Sequence, residues 1–144
     1  MERIHATCVA IDGQGVLLRG APGSGKSDLG LRLIDQGAAL VSDDYTELDP
    51  VDGRLVSHAP DAIRGLMEVR GVGILKTPVV DAVPVAALFD LVMLSEIERL
   101  PEPRFETIAG IDVPVFRLHG FDASAPAKVR VALSALRDDR FHAS

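Results

Sequence analysis

The stretch Gly20–Ser27 combines residue types and spacing that suit it to binding phosphate groups. It matches the pattern G-x-x-x-x-G-K-[ST], with Gly20, Gly25, Lys26 and Ser27 at the fixed positions. Glycines let the backbone curl until several N–H groups point into one hollow that accepts phosphate oxygens. Lys26 can reach β- and γ-phosphates, and the Ser27 hydroxyl can bind the Mg²⁺ that accompanies them. The predicted nucleotide-binding residues are Gly20, Ala21, Pro22, Gly23, Ser24, Gly25, Lys26 and Ser27.

Paired carboxylates follow the next apolar run. Residues 38–44 are typical of a short strand that ends in Asp43 and Asp44. Ligands collect at the carboxyl ends of strands in open α/β sheets, so we expect both to lie near the phosphate loop. Neighbouring strand residues point to opposite faces, so one Asp would face a Mg²⁺-nucleotide while the other holds the loop. A solvated turn is the alternative interpretation.

Two more polar positions could contribute to this chemistry. His5 lies on a predicted strand over residues 4–11, whose Asp12-Gly13 turn predicts a hairpin. Residues 67–74 show strand alternation that puts Glu68 and Arg70 on one face, followed by two glycines. Glu68 is a candidate Mg²⁺ ligand or half of a surface ion pair, and the glycines indicate close backbone approach.

The elements that must position these residues follow from pattern. An apolar strand over 15–19 precedes the loop, and a helix over 28–35, ended by Gly37, follows it. Further along, the pattern predicts a turn at 49–55, a brief helix at 59–66, an edge strand or connector at 77–87, a central strand at 86–94, an edge strand at 111–118 limited by Pro114, a helix from Ser124 and a frayed tail at 140–144.

Bulk properties narrow the class of protein. The 144 residues fit one domain, and a 47% hydrophobic content with only 4% aromatic residues predicts an aliphatic core. A net charge of −6 argues against a nucleic-acid partner or an anionic membrane surface. No apolar run reaches the ~18 residues of a membrane span. Cys8 is the single cysteine, expected to be buried, so we expect a reducing, cytoplasmic setting.

Taken in order, these features resemble the bacterial HPr kinase/phosphorylase family. The set consists of the His5 strand, the phosphate loop, a strand ending Val-Ser-Asp-Asp, and the segment 65–74, Gly-Leu-Met-Glu-Val-Arg-Gly-Val-Gly-Ile. Segment 65–74 is similar to the family's signature and is the most specific match, because many ATPases share the phosphate loop. The resemblance implies an α/β fold, a P-loop kinase-like domain with a mixed central sheet flanked by helices, over residues 1–144.

The resemblance also implies an activity and its residues. Family members use ATP and Mg²⁺ to phosphorylate a serine of the phosphocarrier protein HPr. Many members also remove this phosphate by transferring it to inorganic phosphate, and known members assemble as hexamers. Such a serine-protein kinase would regulate the phosphotransferase system and carbon metabolism. Asp44 is the first choice for the catalytic acid/base. The implied catalytic residues are His5, Lys26, Asp43, Asp44 and Arg70, and the implied metal ligands are Ser27 and Glu68.

Two departures from the family pattern stand out. The chain has no room for the N-terminal domain of full-length members, so it resembles the short, catalytic-domain-only form. The family's late Gly-Arg-Asn loop, which supplies an Arg to catalysis, is absent from residues 113–122. Arg117, Lys128 and Arg130 are candidate substitutes, and phosphorolysis is left open.

Two other functions are compatible with the residues alone. One is a small-molecule kinase or ATPase on the same phosphate loop. The other is a non-catalytic nucleotide-sensing module. The carboxylates of Asp43, Asp44 and Glu68 argue against this alternative, because a protein that only binds a triphosphate needs fewer carboxylates near it.

Overall fold

A computed structural model describes residues 1–142, in which a mixed sheet carries two helices on one face. The helices are α1 (Lys26–Asp35) and α2 (Ala125–Arg137). The strands are β1 (Glu2–Ile4), β2 (Thr7–Ile11), β3 (Gln14–Gly20), β4 (Ala39–Ser42), β5 (Thr46–Val51), β6 (Arg54–His58), β7 (Leu66–Val69), β8 (Gly73–Lys76), β9 (Val83–Leu91), β10 (Arg104–Ile108) and β11 (Ile111–Leu118). Short 3₁₀ turns cover Asp61–Ile63 and Leu94–Glu96.

The sheet is organised around β9. Nine strands take part, in the order β1-β5-β6-β9-β3-β2-β4, while β11 pairs with β9 and carries β10 on its other side. Strands β3, β9 and β11 are parallel neighbours, and the other pairings within this sheet are antiparallel. Strands β7 and β8 form a separate hairpin. The predicted α/β fold with a mixed central sheet is confirmed.

Side chains of the central strands alternate between two apolar cores. On β3, Val16 and Leu18 face the helices, whereas Leu17 faces the opposite side. On β9, Phe89 faces the helices and Leu88 the opposite side. Residues of β5, β6, β10 and β11 close the second core, so strands cover the face that the helices leave open. This period-two alternation is the ordinary consequence of strand geometry.

Both helices form for the reasons that the sequence indicates. Leu29 and Leu33 of α1, and Val129 and Leu133 of α2, are buried in the same core. Helix α1 ends as predicted at Gly37, whose N–H donates to the Ile34 carbonyl at 3.0 Å. The N–H of Ala38 donates to the Leu33 carbonyl at 3.0 Å, which completes a Schellman motif.

Several predicted elements need correction. The strand predicted over 4–11 is broken at His5 and Ala6, because the chain passes there from pairing with β5 to pairing with β3. The strand predicted over 67–74 is instead a hairpin whose turn contains Arg70 and Gly71. Pro114 does not confine β11 to an edge, since pairing with β9 begins only at Val115.

The turn glycines of this hairpin also have a different role from the predicted one. An added Cβ at Gly71 or Gly73 would meet nothing within 4 Å. Their φ angles of 86° and 133° lie in the left-handed region, so the turn geometry rather than close backbone approach requires glycine there.

Other predictions concern the ends and the single thiol. Helix α2 begins after Ser124 as predicted, and the tail beyond Arg137 is non-helical through residue 142. Residues 143–144 of the predicted frayed tail lie outside the described residues. Cys8 is fully buried, as expected. Within residues 1–142, neither helix has the length and apolar character that crossing a bilayer requires.

Candidate active site

Sheet direction brings the predicted polar residues to one edge. Strand β4 is antiparallel to β2, which is antiparallel to β3, so β3 and β4 end at the same edge where β2 begins. The phosphate loop follows β3, Asp43 and Asp44 follow β4, and His5 and Thr7 lie at the start of β2. Segments distant in sequence are therefore neighbours at the carboxyl ends of the parallel strands, where α/β proteins bind ligands.

The phosphate loop is held closed by contacts of its own. Lys26 is buried, and its ammonium donates to the carbonyls of Gly20 at 2.8 Å and Ala21 at 3.3 Å. A Cβ on Gly20 would lie 2.4 Å from Ser24 Oγ and 2.8 Å from the Leu91 carbonyl oxygen. Only glycine fits at Gly20, so the loop's narrow base depends on that residue.

Asp43 joins three elements of the site. Its Oδ1 accepts hydrogen bonds from Ser27 Oγ at 2.8 Å and Thr7 Oγ1 at 3.1 Å, and its Oδ2 accepts one from the Glu68 backbone N–H at 3.1 Å. The carboxylate is 6% exposed. A buried carboxylate satisfied by three donors is a fixed structural acceptor, so Asp43 ties α1, β2 and β7 together.

Asp44 has a different environment from its neighbour. Its side chain is largely exposed, and its Oδ1 accepts a hydrogen bond from His5 Nε2 at 2.7 Å. The His5 ring stacks on Tyr45 with centroids 4.7 Å apart, which holds the imidazole in place. The φ of Asp44 is +69°, a left-handed conformation that Asp adopts more readily than most residues. Asp44 is therefore the accessible carboxylate of the pair.

The structure brings Glu68 to this edge but not Arg70. The Glu68 backbone N–H donates to Asp43, and the Glu68 side chain is exposed. Arg70 lies in the β7–β8 turn and is exposed. Among residues 1–142 no ion pair joins Glu68 to Arg70, because the turn carries Arg70 off the strand.

A charged cluster anchors the strand end just before the phosphate loop. Arg19 donates to both oxygens of Asp90 at 2.7 and 3.0 Å and to both oxygens of Glu106 at 2.7 Å. The hydrogen bonds that Arg19 donates to Glu106 lower the pKa of Glu106, and those that it donates to Glu106 and then to Asp90 raise the pKa of Arg19. Arg19 immediately precedes Gly20, so these pairs fix the start of the loop.

The loop after β11 packs directly on the phosphate loop. A Cβ on Gly120 would lie 2.6 Å from the Ser24 carbonyl oxygen, and one on Gly25 would lie 3.2 Å from the Phe121 ring. Arg32 of α1 donates to the carbonyls of Gly120 and Asp122, the latter at 3.0 Å. Residues 119–122, called here the β11–α2 loop, are thus fastened to the helix that the phosphate loop begins.

The three cations considered as substitutes for the absent Arg have different partners. Arg130 donates to the Leu33 and Gln36 carbonyls at the far end of α1 from Lys26. Lys128 pairs with Asp122 at 3.8 Å, and Arg117 is exposed next to Asp90 in the strand register. Arg130 is therefore committed to a structural contact, which leaves Lys128 and Arg117 as candidates.

Sequence reasoning missed Thr7, Arg19, Arg32, Gly120 and Phe121. A charged residue ending an apolar strand, directly before the phosphate loop, was a usable signal for Arg19. No sequence signal marks Arg32 or Phe121, because their roles depend on how distant segments pack.

The donor set suits a magnesium-bound nucleotide. Asp43 accepts from the Ser27 hydroxyl and from the Glu68 backbone N–H, and the side chains of Ser27 and Glu68 offer oxygen, which is the ligand atom that Mg²⁺ prefers. Mg²⁺ usually binds one or two carboxylates plus substrate phosphates rather than an all-protein cage. No group of three or more His, Cys, Asp or Glu side chains that could hold a metal ion occurs among residues 1–142.

Comparison with known proteins finds a matching family and similar chains. The family model "HPr Serine kinase C-terminal domain" matches residues 1–83. The chain is 40% identical over 113 residues to HPr kinase/phosphorylase of Peptoclostridium acidaminophilum, covering 77% of this chain and 37% of that protein. It is 47% identical over 72 residues to the enzyme of the same name from Caldicellulosiruptor bescii, covering 49% of this chain and 23% of that protein. The chain therefore spans well under half the length of these curated relatives.

A solved structure matches nearly the whole chain. The Hpr(Ser) kinase/phosphatase from Coxiella burnetii superposes with a TM-score of 0.81 at 30% identity, covering 97% of both chains. With the family model covering more than half of its residues, this chain belongs to the HPr serine kinase C-terminal domain family.

Proposed function

We propose that this protein is a serine-protein kinase that transfers the γ-phosphoryl group of ATP to HPr or an HPr-like phosphocarrier. The observation that carries the proposal is the meeting of the phosphate loop, the buried Asp43 and the His5–Asp44 pair at one sheet edge. Phosphoryl transfer needs positioning and charge neutralisation more than covalent chemistry, and this edge offers both.

Each residue at this edge would have a separate role in the transfer. Lys26 would exchange its bonds to the Gly20 and Ala21 carbonyls for bonds to β- and γ-phosphate oxygens. Asp44 would accept the proton of the attacking serine hydroxyl as that oxygen bonds to phosphorus and ADP leaves. His5 would hold the Asp44 carboxylate in orientation through its 2.7 Å hydrogen bond. Asp43 would stay a structural acceptor.

Magnesium would be held by Ser27 and Glu68 together with phosphate oxygens, and when bound it neutralises charge on the transferring group. Asp43 keeps both near each other, since it binds the Ser27 hydroxyl and the Glu68 backbone. Arg70 would support the Glu68 region from the turn that follows it.

The same site would also remove the phosphoryl group, with inorganic phosphate in place of ADP as the acceptor. An oxygen of inorganic phosphate would bond to phosphorus as the serine O–P bond breaks, giving pyrophosphate, and protonated Asp44 would return its proton to the serine oxygen. Incubating phosphorylated HPr with the kinase and phosphate tests this step, and absence of pyrophosphate among the products would contradict it.

The setting is proposed from the family. We propose a cytoplasmic homo-oligomer, a hexamer by resemblance, with a regulatory role in the phosphotransferase system and carbon metabolism. Exposed apolar side chains on the β7–β8 hairpin, Val72 and Ile74 at 68% and 71% exposure, are the kind of surface that assembly covers. Light scattering of the purified protein would contradict the oligomer by giving a monomer mass.

The deciding experiment measures ³²P transfer from ATP to purified HPr in the presence of Mg²⁺. Lys26→Ala should abolish transfer, because it removes the cation that the phosphates need. Asp44→Asn should lower kcat by about 10²- to 10⁴-fold, the range for loss of a general base. Asn tolerates the left-handed φ of this position, so the fold should survive.

Asp52→Asn is the matched control. Asp52 also has a positive φ, of 51°, but lies in the β5–β6 turn, near the opposite end of β3 from the phosphate loop. Its substitution should leave transfer unchanged. Equal activity of Asp44→Asn and Asp52→Asn would disprove the assigned base, and no transfer to any HPr-like protein would disprove the kinase.

A further inference from the structure

An aromatic residue that the proposed chemistry does not use lies on the side of the phosphate loop opposite Asp43 and Asp44. In the sheet, β3 lies between β2 and β9, so Asp44 and the β11–α2 loop are on opposite sides of the phosphate loop. If the γ-phosphate lies at Asp44, as the proposed function requires, a nucleotide that crosses the phosphate loop would place its sugar and base on the other side, where residues 119–122 lie.

Phe121 is held in place yet open to solvent. It is 56% exposed, although its ring lies against Gly25. The backbone on both sides is fastened, because Arg32 binds the carbonyls of Gly120 and Asp122. The adjacent His119 donates from Nδ1 to the Val92 carbonyl at 3.0 Å and packs edge-on to the Phe121 ring.

The other described aromatic rings are committed elsewhere. Phe89 and Phe116 stack on each other, and Phe116 stacks on Phe141. Phe105 lies on β10, the outer strand beside β11. Tyr45 stacks on His5 on the carboxylate side. Among residues 1–142, Phe121 is thus the ring beside the phosphate loop on the side that the base would occupy.

We propose that Phe121 is the stacking platform for the base of the bound nucleotide. The inference rests on the proposed function for the phosphates and adds the residue that recognises the rest of the molecule. Aromatic side chains stack on any base, because every base presents a π-face. The platform therefore gives affinity for a nucleoside triphosphate over inorganic polyphosphate, without choosing between adenine and guanine.

Calorimetric binding of ATP, GTP and inorganic tripolyphosphate, each with Mg²⁺, tests the proposal. Phe121→Leu should weaken ATP and GTP binding by about 5- to 150-fold, the range for loss of one base–aromatic stack. Tripolyphosphate binding should change less than about twofold, since it has no base. Leucine keeps apolar bulk against Gly25, and Phe121→Tyr, which keeps the ring, should bind all three as the wild type does.

A spectroscopic measurement gives an independent readout. The chain has no tryptophan, so Phe121→Trp introduces a single indole at the platform. ATP should quench its fluorescence by stacking, and tripolyphosphate should leave it unchanged.

The outcomes separate this inference from the proposed function. Equal loss of all three ligands in Phe121→Leu would mean that the ring only supports the phosphate loop, and would overturn the platform. Wild-type protein that binds tripolyphosphate as tightly as ATP would also overturn it, while leaving the phosphate site standing. Wild-type protein that binds none of the three would overturn both.

Discussion

At the scale of single residues, adjacent carboxylates have unequal environments. Asp43 is buried under three donors, whereas Asp44 is exposed and bound to one imidazole. The pattern of a strand ending in two acidic residues predicted that one would hold the loop and the other face the ligand, and it did not indicate which. The distinction depends on Thr7 and on the Glu68 backbone, both brought in by tertiary contacts.

Substituting each carboxylate by its amide should separate the two roles in stability. Asp43→Asn replaces an acceptor oxygen with an N–H₂ group that faces a donor, which should cost about 1 to 3 kcal/mol of unfolding free energy. Asp44→Asn should change stability by less than about 0.5 kcal/mol, as exposed positions do. Urea denaturation of both variants measures this. Equal destabilisation would show that Asp44 is also a structural residue.

At the scale of elements, the phosphate loop and the β11–α2 loop form one packed unit. The contact is closest at Gly120, where an added Cβ would lie 2.6 Å from the Ser24 carbonyl oxygen. That atom is backbone, so it cannot rotate away as a flexible side chain would. The shape of the phosphate loop therefore depends on a residue that is 100 positions beyond Gly20 in sequence.

Gly120→Ala should displace the phosphate loop and weaken tripolyphosphate binding by at least about tenfold, at an overpacking cost of roughly 1–3 kcal/mol. Gly110→Ala is the control, because Gly110 has a strained φ of +81° but nothing within 4 Å of its added Cβ. It should lose a similar amount of stability without losing tripolyphosphate affinity. Unchanged binding in Gly120→Ala would mean that the two loops are not coupled. Calorimetry and urea denaturation supply both measurements.

The sequence predicted well those elements that depend on neighbouring residues, and poorly those that depend on contacts between distant segments. The strand and helix around the phosphate loop follow from local spacing, and Gly37 ends α1 by hydrogen bonds within its own turn. Segment 67–74 misled, because alternation continues across a hairpin turn whose glycines resemble a close approach. Strand β10 was not predicted, because Arg104, Glu106 and the prolines that precede the strand are typical of a polar connector. It forms a strand by pairing with β11.

At the scale of the whole molecule, the protein has a second core on the face of the sheet opposite the two helices. It contains Cys8, Leu17 and Leu88 between the central strands and the strands that fold over them. The predicted aliphatic core is confirmed. Among the described residues, the largest fully buried side chains are leucines and valines, together with the aromatic ring of Phe89. What composition did not predict was the division into two layers, because it depends on strand pairing.

Because the Cys8 thiol is buried in this core, the free energy of unfolding should decrease at alkaline pH. Burial raises the pKa of Cys8 from 9.0 to about 12. Below about pH 9 both folded and unfolded chains keep the thiol protonated, so its burial costs nothing extra. Above about pH 9 only the unfolded chain ionises, so stability should fall by about 1.4 kcal/mol per pH unit until about pH 12.

Unfolding free energies of the wild type and Cys8→Ala, measured by urea denaturation across this range, isolate the effect. Every other alkaline titration is common to the two proteins, so their difference reports Cys8 alone. The wild type should lose its advantage over Cys8→Ala as pH rises. In native protein near neutral pH, the same burial should keep Cys8 unreactive toward thiol reagents until urea unfolds the chain. Parallel pH profiles for the two proteins, or rapid labelling of the folded state, would show that the second core admits solvent at Cys8.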